Sequence, residues 1–159
     1  MQAFNLKPTH KTVRAYYESL AQFRSLGVSH ENAVRSAFQS LLESCGRQFD
    51  WTLVPEWQIK RSRDKRIYVD GALVDAYKLT HGFWEAKDSH DDLEREVRKK
   101  LEAGYPRDNI LFQAPERAIL WQNDRQILDE DITHPEHLVE TLKVFFEYRP
   151  PDYVEWEKA

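Results

Sequence analysis

Apolar residues recur along this chain in two rhythms, first helical and then alternating. Val13, Tyr16, Tyr17, Leu20 and Phe23 share the three-and-four spacing of one helix face, opened by Pro8-Thr9 and closed by Gly27. Ser29 is a suitable N-cap for a second helix, whose stripe of Val34, Ala37, Phe38, Leu41, Leu42 and Cys45 ends at Gly46. From Trp51 the period shortens. Trp51 to Gln58, Arg66 to Val69, Ala72 to Tyr77 and Phe83 to Lys87 predict strands, with Thr80-His81-Gly82 as a turn. A third helix follows, capped by Ser89, with Asp91 and Asp92 in its first turn and Leu93, Val97 and Leu101 as a narrow stripe. Glu94–Arg98 and Glu96–Lys100 have the spacing of helix-supporting ion pairs, and Gly104 stops the helix. Asn109 to Gln113 and Ala118 to Gln122 predict short apolar strands. Thr133 and Glu136 form a capping box for a last helix carrying Leu138, Leu142 and Phe145. The order predicts an α/β (α+β) fold, a mixed sheet with helices on its faces.

Size and composition narrow this picture. At 159 residues the chain is expected to form one domain over residues 1–149, with 150–159 after Pro150-Pro151 as a linker or tail. No apolar run reaches the length of a membrane span, and the start lacks a signal-peptide pattern, so a cytoplasmic setting is expected. A single cysteine, Cys45, excludes an internal disulfide framework and a cysteine zinc site, and its place on the apolar stripe predicts a buried thiol. The net charge of −4 is not that of a generally basic nucleic-acid coat. Cations are concentrated instead in the run Lys60-Arg61-Ser62-Arg63-Asp64-Lys65-Arg66, either a solvated hairpin turn or a local phosphate-binding patch.

The chemistry is concentrated just after that run. Asp70-Gly71 is followed fifteen positions later by Glu85-Ala86-Lys87. Alternate strand residues share a face, so Glu85 and Lys87 point the same way, and Asp70 on a neighbouring strand would bring two carboxylates and one amine to one end of a sheet. Phe83, Trp84 and Ala86 mark that strand as buried, and buried charges are costly unless paired or metal-bound. A buried salt bridge is the bland alternative, as a hairpin turn is for Asp70-Gly71. Paired carboxylates suit Mg²⁺, and a lysine beside them can steady an attacking water or a phosphate oxygen. Glu31, three before Val34 and seven before Phe38, lies on the inward stripe of the second helix and is a candidate third acid. Asp75 rivals Asp70 but falls on the opposite strand face, and Asp70 is preferred because it lies nearer the strand's start. Other schemes lack their parts. There is no Gly-rich phosphate loop and no Gly-x-Ser-x-Gly, and the six histidines show no metal-ligand spacing.

Val69-Asp70-Gly71 with Glu85-Ala86-Lys87 resembles the PD-(D/E)xK nuclease superfamily. Phe83 to Asp88, Asp92-Leu93, Glu96, Gly104-Tyr105-Pro106, Asn109 to Phe112 and Leu120 to Asn123 are similar to the N-terminal endonuclease domain of type ISP restriction-modification enzymes. Glu31 to Arg35 with Phe38 and Leu41-Leu42 is similar to that domain's first-helix pattern, and the likeness spans about residues 29–123. Val69 departs from the usual proline, and Gln113 stands where an acid is expected. The resemblance implies a restriction-endonuclease-like mixed sheet and Mg²⁺-dependent cleavage of double-stranded DNA, with Mn²⁺ able to substitute. Asp70, Glu85 and Glu31 would hold the metal, and Lys87 would orient or activate water. Lys60, Arg61, Arg63, Lys65 and Gln122 are candidate DNA contacts. The domain would belong to a longer polypeptide with translocase, methyltransferase and target-recognition parts, and two such domains would pair transiently to cut both strands. The alternative is a catalytically silent nuclease-fold module that binds DNA or docks.

Overall fold

A computed structural model of the chain describes residues 3–28, 31–87 and 92–151, and for Glu31 the backbone alone. Ser29, Ser89, Asp91 and residues 152–159, which carried expected caps and the tail, lie outside the described residues. The elements are α1 (Lys11–Ser25), α2 (Glu31–Gly46), β1 (Thr52–Lys60), β2 (Arg66–Val74), β3 (Thr80–Ala86), α3 (Leu93–Glu102), β4 (Asn109–Gln113), β5 (Arg117–Gln122), β6 (Arg125–Asp131) and α4 (Pro135–Phe146).

The six strands form one sheet in chain order. Every neighbouring pair is antiparallel except β3 and β4, which are parallel. A parallel pair needs a long crossover, and α3 supplies it. Helices pack on both faces of the sheet. On one face Leu53, Leu73, Trp84, Leu111 and Leu120 meet Phe38, Leu41, Leu42 and Cys45 of α2, Val13 and Tyr16 of α1, and Leu138, Leu142 and Phe145 of α4. Burial pushes the Cys45 thiol up to about 12, as expected of a group inside this layer. On the other face Leu93, Val97 and Leu101 of α3 pack on Val69, Ala72, Phe83, Ile110, Phe112 and Ile119. The result is a mixed sheet flanked by four helices, an α+β architecture.

Several local expectations change. Arg66–Val69 and Ala72–Tyr77 merge into the single strand β2, which stops at Val74. Asp70 is therefore mid-strand rather than near a strand start. Asp70-Gly71 is no hairpin turn: a Cβ on Gly71 would stand 2.9 Å from both Leu53 Cδ1 and Trp84 Cε3, so the glycine serves close packing. The turn lies at Asp75–Leu79, and Thr80-His81-Gly82 opens β3. Strand β6 was not predicted, because it is an edge strand with only Ile127 and Leu128 apolar. Its signal was Asn123-Asp124, which take φ of 53° and 66° in a two-residue hairpin. Helix α4 starts with His134 as N-cap and Pro135 in its first turn, while the Thr133 hydroxyl donates to Asp131 instead. Helix α3 is capped by Asp92, whose side chain accepts from the Arg95 N–H.

Candidate active site

The site forms where the sheet forks. Strands β2 and β3 pair from Val74↔Thr80 to Gly71↔Trp84 and then part. Beyond that point β2 stays with β1 as far as Lys60↔Arg66, while β3 stays with β4 to Ala86↔Gln113. Backbone groups lining the opening need other partners. Two carboxylates provide them reciprocally. The Asp70 N–H donates to Glu85 Oε1 at 3.0 Å, and the Ala86 N–H donates to Asp70 Oδ2 at 2.8 Å. Each acid thus secures the backbone beside the other, and the two lie side by side.

Cations surround them. Lys100 Nζ is 3.1 Å from Glu85 Oε2, and the Tyr105 hydroxyl is 3.2 Å from the same oxygen. That hydroxyl is also 3.2 Å from the Tyr68 carbonyl, and it accepts from Lys100 at 3.3 Å. Arg35, from the first half of α2, places Nη2 3.6 Å from Asp70 Oδ2. Lys87 continues the β3–β4 ladder by donating its N–H to the Gln113 carbonyl at 2.7 Å, and its Nζ is 3.7 Å from Glu96 Oε2. Glu96 and Lys100, read from sequence as partners of each other, instead reach Lys87 and Glu85. Four helical residues rise about 6 Å and two strand residues about 7 Å, so the two charge pairs match rung for rung. That match of spacing was the available signal for Lys100 and Glu96. Arg35 and Tyr105 had none beyond their place in the resembling segments.

Glu85 is 7% exposed. Burial raises its carboxyl pKa above the ordinary value, the Asp70 charge pushes the same way, and Lys100 pulls back without prevailing. Burial lowers the Lys100 ammonium, but Glu85 and the bonds to Glu85 and Tyr105 outweigh that and raise it. Glu85 therefore sits beside a second carboxylate in a place that resists its own charge.

The predicted residues do not all come together. Asp70 and Glu85 meet, and Lys87 faces α3 as Glu85 does. Glu31 opens α2, one helical turn before Arg35, and its side chain lies outside the described residues. Among the described residues no three His, Cys, Asp or Glu side chains cluster closely enough to hold a metal ion. The donor set is two carboxylates, which suits Mg²⁺, an ion commonly held by one or two carboxylates with waters and substrate phosphates. Asp75 is elsewhere: it caps the β2–β3 turn, accepting from the Tyr77 and Leu79 N–H groups and bonding His81 at 2.8 Å. Gln122 lies at the opposite end of the sheet, 8% exposed, donating to Asn109 Oδ1 and the Val144 carbonyl. Gln113 is turned to the other core, where it accepts from Trp84 Nε1. Lys60, Arg61, Arg63 and Lys65 lie exposed at the end of the β1–β2 hairpin, with Arg61 Nε donating to the Gly104 carbonyl at 2.6 Å.

No family model and no curated protein matches the chain. Among solved structures it is similar to one described as a cryo-EM structure of a DrdV–DNA complex, with a TM-score of 0.86 and 35% identity. The likeness covers 93% of this chain and 15% of that one, so this chain spans a small part of that protein's length. The architecture is restriction-endonuclease-like. No described helix is long and apolar enough to cross a membrane.

Proposed function

We propose that this chain is a metal-dependent endonuclease module that hydrolyses DNA phosphodiester bonds. The observation that carries the reading is the reciprocal bonding at the fork, which fixes Asp70 and Glu85 side by side. Neutral amides would close such a fork without placing two like charges together. Adjacent carboxylates persist where cations attend them, and Lys100 and Arg35 do so in the resting site. Asp70 and Glu85 would hold Mg²⁺ or Mn²⁺, with Glu31 as a third acid from the start of α2. The ion, when bound, supplies Lewis-acid polarisation of the phosphodiester and a more acidic water. Lys87, on the Glu85 side of β3, orients the attacking water and offsets charge that builds on the phosphoryl oxygens. Similarity to a protein solved with DNA supports DNA as the substrate, and the small share of that protein's length supports work within a longer polypeptide. A cytoplasmic setting belongs to the same proposal. Translocase, methyltransferase and target-recognition domains, and pairing of two modules for double-strand cuts, belong to the same proposal.

Nicking of supercoiled plasmid in Mg²⁺ or Mn²⁺ tests the reading. Asp70→Asn and Lys87→Ala should each slow nicking by on the order of 10³-fold while the melting temperature stays near that of the parent. Variants that cut at the parent rate overturn the residue assignment. A parent chain that binds DNA and never cuts in either metal is the silent docking module instead.

A further inference from the structure

Beyond the fork, β1 and β2 run on as a two-stranded ribbon whose two faces differ. Ile67 and Val69 are buried, and Trp57 and Ile59 pack against the α3 cluster. On the opposite face the pairs Gln58↔Tyr68 and Lys60↔Arg66 are exposed, Tyr68 to 56%. On β1 this row carries one acid, Glu56, which falls at a break in the ladder between the Pro55↔Gly71 and Trp57↔Val69 pairs, with φ of 52°. At about 3.4 Å per residue, Tyr68 is about 7 Å and Arg66 about 14 Å along the strand from Asp70.

Three features say what this face meets. Lys60 and Arg66 are directly paired across the strands, an arrangement that disfavours the ribbon unless an anion lies over it. The segment Lys60–Arg66 holds five cations against the single acid Asp64. The ribbon is also braced from behind, by Arg61 on the Gly104 carbonyl and by the Tyr105 hydroxyl, which is shared between the Tyr68 carbonyl and Glu85. The brace holds the exposed row in register with the acids.

We infer that this exposed ribbon face is the surface on which duplex DNA docks. Lys60 and Arg66 take backbone phosphates, and Tyr68 packs its ring on the strand between those phosphates and the acids. The inference rests on the endonuclease reading. The paired cations meet phosphates that flank the bond beside Asp70. Arg61 belongs to the brace and not to the DNA surface.

Fluorescence anisotropy with a labelled duplex of random sequence, in EDTA so that cutting plays no part, tests this. Lys60→Ala/Arg66→Ala should weaken binding about tenfold at 50 mM salt and reduce the slope of log affinity against log salt by about two. Tyr68→Ala should weaken binding about threefold with the slope unchanged, because it removes contact area and no charge. Arg125→Glu on the far edge strand should change neither. Absent binding by the parent, or ribbon variants within twofold of it, overturns the inference. So does Arg125→Glu weakening binding as much as the ribbon pair. A parent that binds through the ribbon yet nicks in no divalent metal removes the endonuclease reading and leaves the docking surface standing.

Discussion

The two ends of the central strands each bury a polar cluster, and the clusters are built on opposite principles. At one end, Asn109 Nδ2 donates to the His81 and Phe145 carbonyls at 2.8 and 3.0 Å, and Gln122 Nε2 donates to Asn109 Oδ1 and the Val144 carbonyl at 2.9 and 3.1 Å. These amides are neutral, and their partners are mostly backbone atoms that cannot leave. The cluster ties α4 to β3, β4 and β5. At the other end, Asp70 and Glu85 also serve the backbone, but they are carboxylates, and their cationic partners among the described residues are Lys100 and Arg35, side chains 29% and 34% exposed. Those partners can swing away. A polar cluster meant only to hold a fold is neutral and saturated. One that keeps adjacent charges under burial, attended by half-exposed cations, is built to exchange partners.

Exchanging the two designs breaks the comparison most sharply. Asn109→Ala takes the donor from the His81 and Phe145 carbonyls and one acceptor from the Gln122 amide, and should cost about 3 kcal/mol. For a chain of this size that lowers the melting temperature by about 6–12 °C, and nicking by the fraction still folded should persist. Glu85→Gln should do the reverse. It removes a carboxylate whose ionisation the site resists, so the chain should melt no lower than the parent while nicking disappears. A large melting loss in Glu85→Gln, or lost nicking by folded Asn109→Ala, would show that the two ends are not functionally distinct.

A subtler change sharpens the claim that the attending cations exchange. Lys100 occupies Glu85 Oε2, an oxygen that a divalent ion would share. Lys100→Met keeps the aliphatic stem over Tyr105 and deletes the charge. The Mg²⁺ concentration that half-saturates the thermal stabilisation should fall about fivefold, about 1 kcal/mol, in line with a partly exposed ion pair. An increase would mean that Lys100 supports the acid site instead of competing for it.

The legibility of the molecule follows the same division. Helices and interior strands declared themselves through the apolar stripes that now form the two cores, since burial on a regular element imposes its period on the sequence. Strand β6 did not, because an edge strand is held by backbone pairing and needs few apolar side chains. The approach of Asp70 to Glu85 was readable from strand alternation plus the Glu-x-Lys spacing. The fork that brings them together was not, since it depends on where β2 stops following β3, a property of three strands at once. Lys100 was hidden by its own helix: an (i, i+4) spacing to Glu96 looked locally satisfied, and only the packing of α3 on β3 redirects both side chains. The surroundings of Gln122 were hidden for a related reason. A glutamine at a strand end gives no sign in sequence of whether a helix terminus will come down on it, as α4 does.

The smallest effects are electrostatic and of opposite sign at the two ends. Glu85 has its carboxyl raised above its ordinary 4.5, by burial first and by Asp70 second. Its charge is therefore a liability to the folded state, absent in acid and growing as pH rises through 4.5 and the higher native value. Asp75, in the turn beside the amide end, is lowered from 3.8, chiefly by its bond to His81 and further by the Leu79 and Tyr77 N–H groups. Its charge stabilises, fully above 3.8, and that contribution fades as pH falls through the lower native value. Melting curves of Glu85→Gln and Asp75→Asn against the parent should therefore part in opposite directions at neutral pH. The Glu85→Gln difference should close on acidification to about pH 4, while the Asp75→Asn difference should persist there and close only in stronger acid. Two profiles of the same sign would mean that the acid end is an ordinary structural ion-pair cluster.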